Sequence, residues 1–140
     1  MSVFSKIYLD TAPLIYFLEN HPRYALKVQD ILQGNSSDGC KFATSVITNV
    51  EYLPKPMREN KQDLVFAYNA LKSILNMEFI SVIEDISMEA VKIRIKYPGI
   101  KALDSIHLAS AVHSGCDAFL TNDEQLKQVS EIQILYLEEM

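Results

Sequence analysis

Asp10, Glu51, Asp104 and Asp123 are carboxylates set among apolar, core-forming residues. Each stands where a helix is expected to begin, and three of them follow strand-like runs. In an α/β protein such junctions gather at the carboxyl ends of the strands, where distant parts of a chain meet. Four carboxylates at one point repel each other, and divalent cations would hold them together. The chemistry that follows is phosphodiester hydrolysis with Mg2+ or Mn2+, hard cations that oxygen ligands favour. In that arrangement Asp10 and Asp104 are the principal metal ligands. Asp123 completes the set directly or through water, and Glu51 binds a second cation or orients the attacking water.

The four acids lie 41, 53 and 19 positions apart, so only a tertiary fold can make them neighbours. Taken singly, each has a structural use. An aspartate at a helix start accepts hydrogen bonds from free backbone N–H groups, worth about 1 kcal/mol. Thr48-Asn49-Val50-Glu51 also has the form of a capping box. Zinc is a poor fit: His107 lies one helical turn after Asp104, His113 falls on another face, and no cysteine completes a set. Helix packing or a surface hydrogen bond accounts for both histidines, and Asp117, which opens a strand, is left outside the site.

The elements that must position these acids alternate in kind. Residues 3–9 read as a strand ending at Asp10, and Leu14, Ile15, Phe17 and Leu18 give the next segment a helical apolar face. His21-Pro22 breaks that helix, and a second runs from Arg23 to Gln33 with Leu26, Ile31 and Leu32 inward. Residues 34–39, GNSSDG, read as a loop. A strand at 40–45 leads to a helix from Val46 that Pro54 and Pro56 stop. Residues 58–76 form a longer helix striped by Leu64, Tyr68, Leu71 and Leu75. A strand at 79–83 precedes a helix at 86–97, with Ile86, Ala90, Ile93 and Tyr97 on one side. The helix 101–115 ends at Gly115, a strand at 117–121 runs into a helix from Asp123, and IQILYL is an edge strand. The fold class is therefore α/β: a mainly parallel sheet of about five strands, covered on both faces, in a single domain spanning 1–140.

With 140 residues, 49% of them hydrophobic, the chain is rich enough to build a core rather than a disordered tail. No apolar run reaches the length of a membrane span, and the first residues lack the pattern of a secretion signal, so the expected location is cytoplasmic. Cys40 and Cys116 border buried strands and read as reduced structural thiols, with a disulfide as the alternative. The net charge of −5 argues against coating nucleic acid through bulk positive potential. Setting the four site acids aside leaves 14 acids against 13 bases, which permits a local basic surface. Lys55, Arg58, Lys61, Arg94, Lys96 and Lys101 flank Glu51 and Asp104 and are candidates to grip phosphates, or simply solvated helix faces.

IYLDTAPLIYFLE, ATSVITNVEYL, ALDSIHLASAV and CDAFLTNDEQL, in that order and at these spacings, resemble the four blocks of PIN-domain nucleases, most closely the VapC-type toxins of toxin–antitoxin pairs. The resemblance runs from Ile7 to Leu126 and puts the family's acids on Asp10, Glu51, Asp104 and Asp123. Thr11 and Thr121 fit the hydroxyl positions that support such sites. Ala12 stands where many members carry an asparagine, so any contact that side chain makes is missing here. The resemblance implies a parallel α/β/α sandwich, RNA as substrate, a cognate antitoxin and a homodimer. Apolar residues in 12–32 and in the 58–76 helix could form a groove for a partner segment, and core packing explains the same residues. A housekeeping RNA-processing nuclease and a non-catalytic binding module, whose acids only cap helices, are the competing expectations.

Overall fold

The computed structural model describes residues 3–140. Its elements follow in the order β1 (Lys6–Leu9), α1 (Thr11–Leu18), α2 (Ala25–Ser37), β2 (Lys41–Ser45), α3 (Ile47–Tyr52), α4 (Pro54–Arg58), α5 (Gln62–Ile74), β3 (Glu78–Ile80), α6 (Glu84–Lys96), α7 (Ala102–His113), β4 (Ala118–Thr121) and β5 (Gln133–Tyr136). A 3-10 helix over Glu124–Gln128 links the last two strands. The sheet is parallel at every pairing, in the order β3-β2-β1-β4-β5.

Three layers follow from strand periodicity. Tyr8, Ala43 and Phe119 lie in register and point to one face, where they join Ile86, Ala90 and Ile93 of α6 and Leu108 and Ala109 of α7. Ile7, Phe42 and Ala118, with Leu9 and Leu120, point to the other, against Leu14 of α1, Val28 and Leu32 of α2 and Leu71 of α5. Burial on both faces is why the central strands lack the polar alternation of a half-exposed sheet. Cys40 and Cys116 are both buried, as thiols. Among the described residues, no helix is long and apolar enough to cross a membrane.

Several boundaries differ from the sequence-based expectation. GNSS is not loop but the last turn of α2, which continues to Ser37. Asn35 Nδ2 donates to the Ile31 carbonyl at 2.7 Å and Ser37 Oγ to that of Gly34 at 3.1 Å, so these polar side chains bond the helix's own backbone. The chain turns instead at Gly39, whose φ of +87° suits a residue without Cβ. On α2, Leu26 faces solvent (73% exposed) while Ala25 takes the inward position. The helix from Ile47 stops at Tyr52, ahead of Pro54 as expected, but Pro54 opens a further short helix, α4, where its missing N–H costs nothing. The expected 58–76 helix begins only at Gln62, though Tyr68 and Leu71 of its stripe are buried as anticipated. The segment after Asp123 is a short 3-10 helix rather than an α-helix.

Sheet order decides where a site can form. From β1 the chain builds outward through β2 and β3, then returns to place β4 on the other side of β1. Beyond the carboxyl ends of β1 and β4 the connections diverge, which opens the crevice where α/β proteins bind ligands.

Candidate functional site

Asp10 follows β1 directly and is the N-cap of α1. Its Oδ1 accepts from the Thr11 backbone N–H at 2.9 Å, and its Oδ2 accepts from Thr121 Oγ1 at 2.7 Å. The Asp10 N–H donates to the Leu120 carbonyl, tying the carboxyl ends of β1 and β4 together. Asp123, two residues past β4, caps the 3-10 helix through a 2.9 Å bond from the Gln125 N–H to Oδ1. Asp104 reaches the same rim from the first turn of α7. Glu51 does not start a helix, as expected from its sequence context, but lies in the last turn of α3.

The capping-box reading of Thr48 and Glu51 does not hold, because no side chain caps α3. Thr48 Oγ1 instead lies 2.8 Å from Thr44 Oγ1 and 3.2 Å from Thr11 Oγ1. Thr11 Oγ1 donates to Glu51 Oε1 at 2.7 Å. Helix capping therefore accounts for one oxygen each of Asp10 and Asp123 and for neither oxygen of Glu51.

One cavity of about 350 Å³ is lined by Asp10, Thr11, Ala12, Ile15, Glu51, Asp104, Asn122 and Asp123. All four acids thus face a common space, and no lysine or arginine lines it. Of the six flanking bases, Lys61 is paired with Glu59 at 3.3 Å and Lys96 with Glu131 at 3.4 Å. Asp117 lies at the opposite end of β4, where it accepts from the backbone N–H groups of Ser5 and Lys6.

The acids feel each other. Burial pushes the Asp104 carboxyl up to about 6, and the charges of Asp10 and Asp123 push the same way. Asp10, 8% exposed, is raised chiefly by burial, against the opposing pull of His107 and the Thr121 hydroxyl. Glu51 moves the other way: a hydrogen bond from His107 holds its carboxyl below the ordinary range, outweighing partial burial.

His107 packs inside the protein, edge-on to the Tyr8 ring, and also bonds into the site. It is fully buried, with Nε2 2.6 Å from Glu51 Oε1 and Nδ1 2.6 Å from the Tyr8 hydroxyl. The i, i+3 spacing from Asp104 was the available signal, since it puts both on one face of a helix. Asn122 was also missed: it lines the cavity, donates to the Tyr16 hydroxyl and accepts from the Glu138 N–H.

The donor set bears on which cation this space suits. The four candidate ligands are carboxylates, and both nitrogens of His107 are engaged by protein partners, so soft-metal ligation is disfavoured. Among the described residues, no group of three or more His, Cys, Asp and Glu side chains is drawn in tightly enough to hold an ion alone. A hard cation that keeps several of its waters fits such a spacious all-oxygen pocket.

Solved structures of similar shape share this architecture. VapBC2 from Rickettsia felis, bound to a promoter DNA fragment, superimposes with a TM-score of 0.73 at 16% identity, covering 94% of this chain and 98% of that one. DNA-bound VapBC from Salmonella typhimurium gives 0.72 at 17% identity with the same coverages. VapBC-5 from Mycobacterium tuberculosis gives 0.61 at 18% identity, again covering 94% and 98%. At such identities the likeness establishes the fold. Among curated proteins, no sequence matches. The model of the PIN domain matches residues 7–132, a stretch that includes all four acids, and the chain belongs to the PIN domain family.

Proposed function

We propose that this protein is a metal-dependent endoribonuclease, a single-domain toxin of the VapC type held in check by a cognate antitoxin. The observation that carries the reading is the meeting of Asp10, Glu51, Asp104 and Asp123 in one cavity at the carboxyl edge of the sheet. Asp10 and Asp104 would hold the cation, Asp123 would complete the set, and Glu51 would hold a second ion or the attacking water. A bound Mg2+ or Mn2+ supplies Lewis acidity that activates water and neutralises charge on the phosphate. Thr121 and the Thr11 N–H fix both oxygens of Asp10, so that it keeps one orientation. Glu51, whose Oε1 is held by His107 and Thr11, would be placed to orient the attacking water. The purified protein is expected to cut total RNA with Mn2+ and to stop in excess EDTA. Cleavage unaffected by EDTA rules the reading out.

The antitoxin has a candidate seat away from the acids. A second cavity of about 710 Å³ lies between α1, α2 and α5, lined by Phe17, Leu18, Leu32, Phe66, Leu71, Ile74 and Leu75 among others, with no acid or base in it. Phe66 and Ile74 are more than three-quarters exposed, an unusual state for apolar side chains that face a groove. An amphipathic helix laid on α2 and α5 would cover them. Phe66→Asp is expected to weaken capture of a protein encoded beside this gene by about 10-fold or more without slowing RNA cleavage. Unchanged capture, measured by co-purification and calorimetry, places the partner elsewhere.

A homodimer belongs to the same proposal. Met88, Val91 and Ile95 form an exposed stripe on α6, with Glu84 and Asp85 in its first turn and Arg94 and Lys96 in its last. Two antiparallel copies of α6, related by a two-fold axis across the helix, would bury the stripe and set each acidic turn against a basic one. Light scattering should then find a dimer that Ile95→Glu converts to a monomer. A wild-type monomer at high concentration removes this part.

A further inference from the structure

Both ring nitrogens of His107 are engaged by protein partners. Glu51 Oε1, 2.6 Å from Nε2, belongs to a carboxylate and can only accept, so Nε2 carries a proton. In the neutral ring, that leaves Nδ1 to accept from the Tyr8 hydroxyl, 2.6 Å away, whose burial favours the protonated phenol. Tyr8 is itself immobilised: it stacks on Phe119 at 5.0 Å, beneath α7, and meets the His107 ring edge-on. The order Tyr8, His107, Glu51 thus runs from the middle of the sheet to the floor of the acidic cavity.

The second donor to Glu51 lands on the same atom. Thr11 Oγ1 reaches Oε1 at 2.7 Å, so two protons converge on one oxygen and leave Oε2 for a cation or a water. Glu51 is on the last turn of a six-residue helix and its side chain is partly in solvent, so nothing in the backbone alone would hold it still.

We propose that His107, oriented by Tyr8, is the positioning residue that locks Glu51 through Oε1 and presents Oε2 to the reaction. The inference rests on the nuclease reading and assigns a residue pair beyond the four acids. Outer partners of this kind alter metal affinity or activity by about 10- to 100-fold when removed. A histidine that merely satisfied the Tyr8 hydroxyl would alter stability and nothing else.

Four variants separate these roles, with Mn2+ alone as the calorimetric probe and RNA cleavage as a second readout. His107→Leu in a Tyr8→Phe background removes both polar partners together, leaving no orphaned hydroxyl to unfold the core. It is expected to stay folded, to bind Mn2+ about 10-fold more weakly and to lower kcat more than it raises KM. His107→Gln, whose amide nitrogen can stand near the position of Nε2, is expected to recover most of the affinity; His107→Asn, which reaches only as far as Nδ1, is not. In a Glu51→Ala background, the double change at Tyr8 and His107 should have a much smaller effect, because Glu51 is the acid that His107 bonds, whereas Asp10 Oδ1 lies 4.0 Å from Nε2. Wild-type Mn2+ affinity and kcat in the folded double variant, equal affinity in Gln and Asn, or an undiminished effect without Glu51 each overturn the proposal. A wild-type protein that neither binds Mn2+ nor cuts RNA overturns the proposed function itself, and this assignment with it.

Discussion

Asp10→Asn is expected to leave the protein folded and to lower RNA cleavage by about 1,000-fold. The two halves of that result have separate causes. An asparagine carbonyl can still accept from the Thr11 N–H, and its amide can donate to the Thr121 hydroxyl, which now accepts instead of donating. The cap of α1 and the link between β1 and β4 therefore survive. What goes is one negative charge and one anionic oxygen in the middle of the acid cluster. A cation-centred transition state loses several kcal/mol of stabilisation when such a ligand is removed, and each 1.36 kcal/mol is about tenfold in rate. Cleavage of a defined RNA in Mn2+, beside circular dichroism of both proteins, measures the two halves together. A folded Asp10→Asn variant that cuts at the wild-type rate sinks the assignment of Asp10, and a helix-capping role is then sufficient for it.

How much of this was legible beforehand depended on range. Asp10 could be placed because IYL is a short apolar run with strand character and TAPLIYFL has a helical apolar face; the junction between the two periods is local information. The inward stripe of Ile86, Ala90 and Ile93 on α6 was readable for the same reason. GNSS was misread because glycine, asparagine and serine favour turns on average, whereas here Asn35 and Ser37 bond backwards to carbonyls of their own helix. Leu26 was misread because α2 packs through Ala25 and Val28, and residue size alone does not show which way a helix is rotated. Glu51 shows the limit most clearly. Its spacing from Thr48 fits a cap, yet its partners are Thr11 and His107, 40 and 56 positions away. The role of His107 was hidden for the same reason: its partners Tyr8 and Glu51 belong to other elements, and only the sheet order brings them to α7.

The acids make stability depend on pH, and on the proposed function they make it depend on cation as well. The Asp104 carboxyl lies at about 6 in the fold, above its ordinary 3.8, and Asp10 is raised as well. A raised acid favours the protonated form, so the stability it contributes is fully present below its ordinary value and is lost as pH rises through about 6. Glu51, held low, works in the opposite sense and contributes stability above its ordinary 4.5, which offsets part of the loss. Near pH 7.5 the cation-free protein therefore carries uncompensated negative charge in the cavity. Asp104→Asn should relieve it by about 1 kcal/mol, a figure discounted because Asp104 is only partly buried, and raise Tm by about 3 °C in EDTA. On the proposed function Mn2+ would compensate the same charge by binding the native state, and it should then raise the wild-type Tm by several degrees near pH 7.5. Near pH 5 protons already occupy Asp104 and compete with the ion, and the gain should shrink to about nothing. Thermal melts of both proteins in EDTA and in Mn2+ at the two pH values give all the comparisons needed. A Tm gain from Mn2+ that is the same at both pH values, or an Asp104→Asn variant that gains as much from Mn2+ as the wild type, removes Asp104 from the cation site.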